Sequence, residues 1–165
     1  MWIYLLRHGI AEDPRPGLVD DDRALTDEGR ARLRAASRAW SLLVHPPELV
    51  ITSPLRRARE TAEIFRNTFD VEAPLRVEEA VVPGAGPARV VTLLESEMLS
   101  RTGSVAVVGH EPNIGYVLGA LLTGQLRVHV SLDRGALVGL QSEGTTSLIT
   151  GLRFVLSQQD AAKIT

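Results

Sequence analysis

Short apolar runs rich in β-branched residues alternate along this chain with longer stretches of helical period, and that alternation restricts the fold more than any other feature. The runs at residues 2–6, 49–52, 75–77 and 104–108 are separated by segments long enough for a crossover. Parallel strands cannot be joined by a tight turn and need such crossovers, usually helical. The expectation is an α/β fold with a largely parallel sheet. The first helix is predicted from about Thr26, a good N-cap, with Asp27 and Glu28 in the positively polarised first turn and Leu33, Ala36, Trp40 and Leu43 on one face. His45-Pro46-Pro47 stops it. Ser53-Pro54 opens a second helix with proline at its first position and Ala58, Ala62 and Phe65 on its buried face. A third carries Val90, Leu94 and Met98, and a fourth covers residues 114–122. Residues 128–132, 136–140 and 148–156 read as late strands, antiparallel near a sheet edge. The polar residues 158–165 read as a frayed end.

Size and composition narrow the class. A chain of 165 residues fills one hydrophobic core, so residues 1–165 are expected to form one domain. No segment approaches the ~20 apolar residues of a membrane helix. The apolar start, Met1 to Leu6, runs into Arg7 without a basic segment before it, which reads as a strand and not an export signal. With no cysteine there is no disulfide framework, thiolate metal site or cysteine nucleophile, and a reducing cytoplasm fits. A net charge of −2 gives no overall reason to expect nucleic-acid binding. Local charge differs: every basic residue except Lys163 is arginine, the side chain that holds oxyanions in a fixed fork.

Three positions share one geometric property. Arg7-His8-Gly9, the segment Ser53 to Thr61, and Gly109-His110 each lie just past the carboxyl end of an apolar strand, where open α/β sheets bind ligands. Arg7 and His8 would face opposite sides of a strand, so both reach one pocket only if the strand ends there. Gly9 would make the bend cheap and let the chain approach a ligand closely. Taken singly, a strand-end histidine reads as a polar cap and paired helical arginines as a solvated face.

Together these segments are more specific. Arg7-His8-Gly9, Leu25-Thr26 with Gly29, Ser53-Pro54-Leu55-Arg56-Arg57-Ala58-Arg59-Glu60-Thr61 and Gly109-His110-Glu111-Pro112 resemble, in order and context, the histidine phosphatase superfamily. The length, Arg23-Ala24-Leu25-Thr26 and His110-Glu111-Pro112 look most like its SixA-type phosphohistidine phosphatase branch. The resemblance implies a phosphoglycerate mutase-like, three-layer α/β/α fold with a minimal lid. It implies His8 as the nucleophile that becomes phosphorylated, Arg7 and Arg57 as the phosphate clamp, and His110 as the second pocket histidine. Arg56 neighbours the matched position and is expected to be exposed. An arginine precedes the Leu-Thr pair near the pocket mouth in SixA-like proteins, which makes Arg23 a substrate-binding candidate beside Gly9.

The chemistry of those residue types is consistent with such roles. A histidine attacks phosphorus only when neutral, and nearby Arg7 and Arg57 should disfavour its protonated form. Phosphoryl transfer depends chiefly on positioning and charge stabilisation, work suited to bidentate arginines, with His110 donating to a further oxygen. The scheme needs no metal or other cofactor. His8, His45, His110 and His129 are scattered, His45 reads as a surface residue and His129 as structural, and Asp20-Asp21-Asp22 reads as a solvated loop.

The proton donor is where the pattern weakens. Mutases and many phosphomonoesterases of the superfamily protonate the leaving oxygen with a carboxylic acid. Glu78 and Glu79 occupy the relevant stretch, with Glu79 the substrate-site candidate, but neither lies in a motif and an exposed acidic turn reads equally well. Phosphohistidine relaxes that requirement, because imidazole leaves more readily than an alkoxide. Only 49 positions separate Thr61 from His110, which leaves no room for a large lid and predicts an open, shallow pocket suited to a protein substrate. The expected partner is a phosphohistidine-bearing protein such as a phosphotransfer domain. The alternatives are a small-molecule phosphomonoesterase and a non-catalytic phosphate-binding module. The chain lacks the extra segments of a mutase.

Overall fold

The computed structural model describes residues 1–69, 73–142 and 148–164. Six strands, β1 (Trp2–Arg7), β2 (Leu49–Thr52), β3 (Leu75–Val77), β4 (Ser104–Gly109), β5 (Leu137–Ser142) and β6 (Thr150–Leu156), form one sheet in the order β3-β2-β4-β1-β5-β6. The first four are mutually parallel. β5 runs antiparallel to β1, and β6 antiparallel to β5.

The sheet is covered on both faces, which is why β1 and β4 read as continuous apolar runs. Alternation along β1 sends Tyr4 and Leu6 to one side and Ile3 and Leu5 to the other. Tyr4 and Leu6 pack with Leu33, Ala36 and Trp40 of α1 (Asp27–Leu43), Ala58, Ala62 and Phe65 of α2 (Arg56–Arg66), and Ala161 of α5 (Gln158–Ala161). Ile3 and Leu5 pack with Val90 and Leu94 of α3 (Pro87–Leu99) and Ile114, Val117, Leu118 and Leu121 of α4 (Asn113–Thr123). The result is a three-layer α/β/α arrangement.

Several local expectations hold, and others change for physical reasons. Thr26 caps α1, its hydroxyl accepting the Gly29 N–H at 2.9 Å. Leu43 lies off the buried face and is exposed. α2 begins at Arg56 instead of at Pro54: the Ser53 hydroxyl accepts the Leu55 N–H at 3.3 Å, and Leu55 becomes the N-cap. Residues 128–132 form no strand. The Leu132 N–H donates to a Glu111 carboxylate oxygen and Val130 N–H to the Gly115 carbonyl, so this stretch spends its backbone groups on α4 and the loop before it. Residues 157–161 are docked and not frayed, because Ser157 caps the short α5 and Ala161 is fully buried.

Candidate active site

Strand register decides which residues meet. Arg7 of β1 lies opposite Gly109 of β4, so the next residues, His8 and His110, leave the sheet side by side. The His8 N–H donates to the Gly109 carbonyl at 3.0 Å, and the two imidazole rings stand 5.0 Å apart. Thr52 of β2 pairs with Val108 on the other side of β4, which places the start of α2, and hence Arg57 in its first turn, at the same end of the sheet.

His8 Nδ1 lies 2.7 Å from the Gly9 carbonyl oxygen. That oxygen can only accept, so Nδ1 carries the proton and Nε2 keeps its lone pair. Burial, above all, pushes the His8 pKa down to about 4. Arg57, Arg7 and Arg134 push the same way, while the Gly9 hydrogen bond opposes them. His8 is therefore neutral at physiological pH, but mainly through desolvation and less through the arginines than expected. His110 is buried, with neither ring nitrogen hydrogen-bonded among the described residues, and its pKa falls to about 3, again chiefly by burial.

Gly9 differs from its predicted role. Its φ is not positive. A Cβ there would come within 2.7 Å of the Leu33 side chain, so glycine is needed for room against α1. Its N–H donates to the Thr61 hydroxyl at 3.1 Å, and Thr61 donates to the Arg57 carbonyl at 2.7 Å. A buried threonine, given no role by the sequence reading, thus ties the loop carrying His8 to the helix carrying Arg57.

The arginines are held by different means. Arg7 donates to the Leu132 carbonyl at 2.6 Å. Glu111 holds the same residue from its amino side, accepting the Leu132 N–H at 2.9 Å while its other oxygen lies 2.8 Å from His129 Nε2. The second missed residue, Glu111, was visible beside His110; its use depends on a loop that the sequence reading took for a strand. Arg57, 5% exposed, donates to the backbone carbonyl and carboxylate of Asp20 at 2.7 and 2.9 Å. Arg23 donates to the other Asp20 oxygen at 2.7 Å. Asp20 is therefore no mere solvated loop residue. It bridges Arg23 and Arg57 from a short helical turn, Asp20–Asp22, and they hold its pKa below the ordinary carboxylate value, Arg23 most strongly.

Glu79 is exposed, and its carboxylate has no hydrogen bond or ion pair among the described residues. Glu78 is paired with Arg76 at 3.1 Å. Arg56 is largely exposed and bonded to Glu60. The Ile114 N–H, in the first turn of α4, is taken by the His110 carbonyl at 2.9 Å. The arrangement offers a neutral nucleophilic nitrogen, a second neutral imidazole and guanidinium groups at one end of three adjacent strands. Such a set suits an anion with several acceptor oxygens.

Known proteins share this plan. Residues 3–81 match the histidine phosphatase superfamily (branch 1). An uncharacterised protein of Picosynechococcus sp. is 32% identical over 142 residues, 86% of each chain. The phosphohistidine phosphatase SixA of Escherichia coli is 25% identical over 144 residues, 87% of this chain and 88% of that one. A solved protein histidine phosphatase SixA in complex with tungstate superposes with a TM-score of 0.86, covering 97% of this chain and 99% of that one at 22% identity. The alpha-ribazole phosphatase of Shigella flexneri gives 0.74 at 17% identity, covering 96% and 97%. These two structures share the fold and differ in the substrates they are named for. With its sequence match beginning at the strand that delivers Arg7 and His8, and its whole topology shared with solved members, the chain belongs to the histidine phosphatase superfamily, branch 1.

Proposed function

We propose that this phosphatase hydrolyses phosphohistidine on a protein through a covalent phospho-His8 intermediate. The observation that carries the reading is the state of His8: partly buried, neutral, Nδ1–H held by the Gly9 carbonyl, and its ring beside that of His110. In the first step Nε2 forms a bond to phosphorus as the substrate N–P bond breaks. Arg7, Arg57 and a His110 N–H bind the equatorial oxygens. The leaving imidazole, already protonated on its far nitrogen, departs neutral and needs no acid at the leaving atom. In the second step water forms an O–P bond, the His8–phosphorus bond breaks with its electron pair returning to Nε2, and both water protons leave with the product as dihydrogen phosphate. The Gly9 carbonyl supports this step by stabilising Nδ1–H while the phosphorylated ring is cationic.

The carboxylates favour an N–P substrate. Asp20 is held ionised between two guanidiniums, Glu78 is paired with Arg76, and Glu79 is exposed, so none is arranged as a proton donor for an alkoxide. The family likeness to SixA supports the same reading, with a phosphotransfer domain or similar protein as partner. A reducing cytoplasm suits a chain without cysteine. No described helix is long and apolar enough to cross a membrane. Phosphate release from a phosphohistidine-bearing phosphotransfer domain and from an aryl phosphate, without added metal, tests the proposal. Preferential release from phosphohistidine, reduced at least about a thousandfold in His8→Ala, is expected. Activity surviving that substitution would exclude the mechanism, and hydrolysis of the aryl ester alone would assign a small-molecule phosphatase.

A further inference from the structure

A cavity of about 560 Å³ opens on the side of Arg7 facing α1 and α5, lined among others by Arg7, Arg32, Asp133, Arg134, Ser157 and Gln158. Ligand pockets span roughly 300–1,000 Å³, so this space is larger than one phosphoryl group requires. Three guanidiniums face one carboxylate. Arg32 is already paired with Glu28, and Arg7 is engaged by Leu132. Arg134 is exposed and has no hydrogen bond or ion pair among the described residues.

The position of Arg134 is fixed by its neighbour. The Gly135 N–H is shared between the carbonyls of Arg7 and His8 at 3.0 and 3.1 Å, and the Arg7 N–H donates to the Ala136 carbonyl at 3.2 Å. The turn is anchored to the backbone of the nucleophile itself. Gly135 has φ of +72°, and the Gln158 amide packs where a Cβ would stand. Gln158 is 7% exposed and among the described residues its amide nitrogen has no acceptor, nor does Arg7 Nε, although buried donors nearly always find one. An unpaired guanidinium and a surplus of positive charge thus border one cavity beside the phosphoryl site, and two of its lining residues carry buried donors without acceptors.

Resting on the phosphatase reading, we infer that this cavity is a second anion subsite, which receives a carboxylate that the substrate carries next to its phosphoryl group, with Arg134 as its principal donor. Within a protein substrate, that carboxylate is an acidic side chain near the phosphorylated histidine.

Two phosphonates test this by titration calorimetry. 2-Amino-4-phosphonobutyrate and 3-aminopropylphosphonate differ by one carboxylate, and neither has a P–N or P–O ester bond to hydrolyse. The carboxylated compound is expected to bind about fivefold more tightly, the scale of a partly exposed ion pair. Arg134→Ala should bring the ratio to about one, Arg134→Glu below one, and Arg134→Lys should restore part of it. Arg101→Ala, before β4 at the opposite end of the sheet, should leave the ratio intact. Equal binding by the wild type, or a ratio unchanged in Arg134→Ala, overturns the subsite. Losses common to both probes cancel in the ratio. Since neither probe contains phosphohistidine, failure of that substrate reading shows only in the hydrolysis assay.

Discussion

The nucleophilic role proposed for His8 rests on a fold that protonates one ring nitrogen and leaves the other its lone pair. Its pKa of about 4 in the free enzyme implies that the acid limb of kcat/KM, on a substrate whose own ionisation is separately known, breaks near pH 4. A break near the ordinary ~6.5 would place His8 in a more hydrated setting than the structure shows. Thr61 is a positioning residue on the same scale. Thr61→Val keeps the shape but removes the acceptor for the Gly9 N–H and the donor to the Arg57 carbonyl. Leaving a buried donor unpaired costs about 1–3 kcal/mol, a loss readable in urea denaturation, and kcat should fall as Gly9 and Arg57 lose their common tether. The candidate histidines and clamp arginines were legible because each is a chemically distinctive residue at a strand end or in a helix's first turn. Thr61 and Glu111 were present in the same motifs without a readable role, since their partners are backbone atoms 52 and 21 positions away.

Among the elements, the turn Asp20–Asp22 is the informative case. Its carboxylate occupies donors of Arg57 and Arg23 that a phosphoryl oxygen would also use. Asp20 is 56% exposed in its side chain, so the pairing is of the weak, displaceable kind. Asp20→Asn should therefore tighten competitive inhibition by inorganic phosphate, a few-fold, in contrast to the weakening expected for the clamp arginines; unchanged or weaker inhibition would show that Asp20 does not compete with the anion. The start of α1 gives a second test. Glycine within a helix normally costs about 0.5–1 kcal/mol relative to alanine. At Gly29, however, an added Cβ would overlap the Ile10 carbonyl. The steric term exceeds the propensity gain because backbone, unlike a flexible side chain, cannot swing aside. Gly29→Ala should lower the denaturation midpoint, whereas propensity alone would raise it.

For the whole molecule, two desolvated, neutral histidines couple folding to pH. Above about 6.5 both folded and unfolded chains carry them neutral. As pH falls, the unfolded chain takes up protons that the folded state resists until about pH 4 at His8 and about pH 3 at His110. The unfolded state then binds more protons, so stability falls across that window and levels off below it. Urea midpoints at pH 7.5, 5.5 and 4 should decline in that order, and His110→Asn should flatten the slope. Inorganic phosphate, bound by the folded state, should raise the midpoint in proportion to the logarithm of its concentration above Kd.

The sequence by itself determined the strand-and-crossover architecture, because apolar period and caps are local properties that neighbouring residues suffice to express. It also placed Arg7, His8, Arg57 and His110 at element ends. The tertiary structure alone decided that His8 and His110 stand in adjacent register, that residues 128–132 brace Arg7 instead of adding a strand, and that Asp20 bridges two arginines. Each of these depends on which distant backbone atoms remain unpaired once the sheet has assembled. Burial, which sets the His8 pKa, likewise exists only after the layers close over the strand ends.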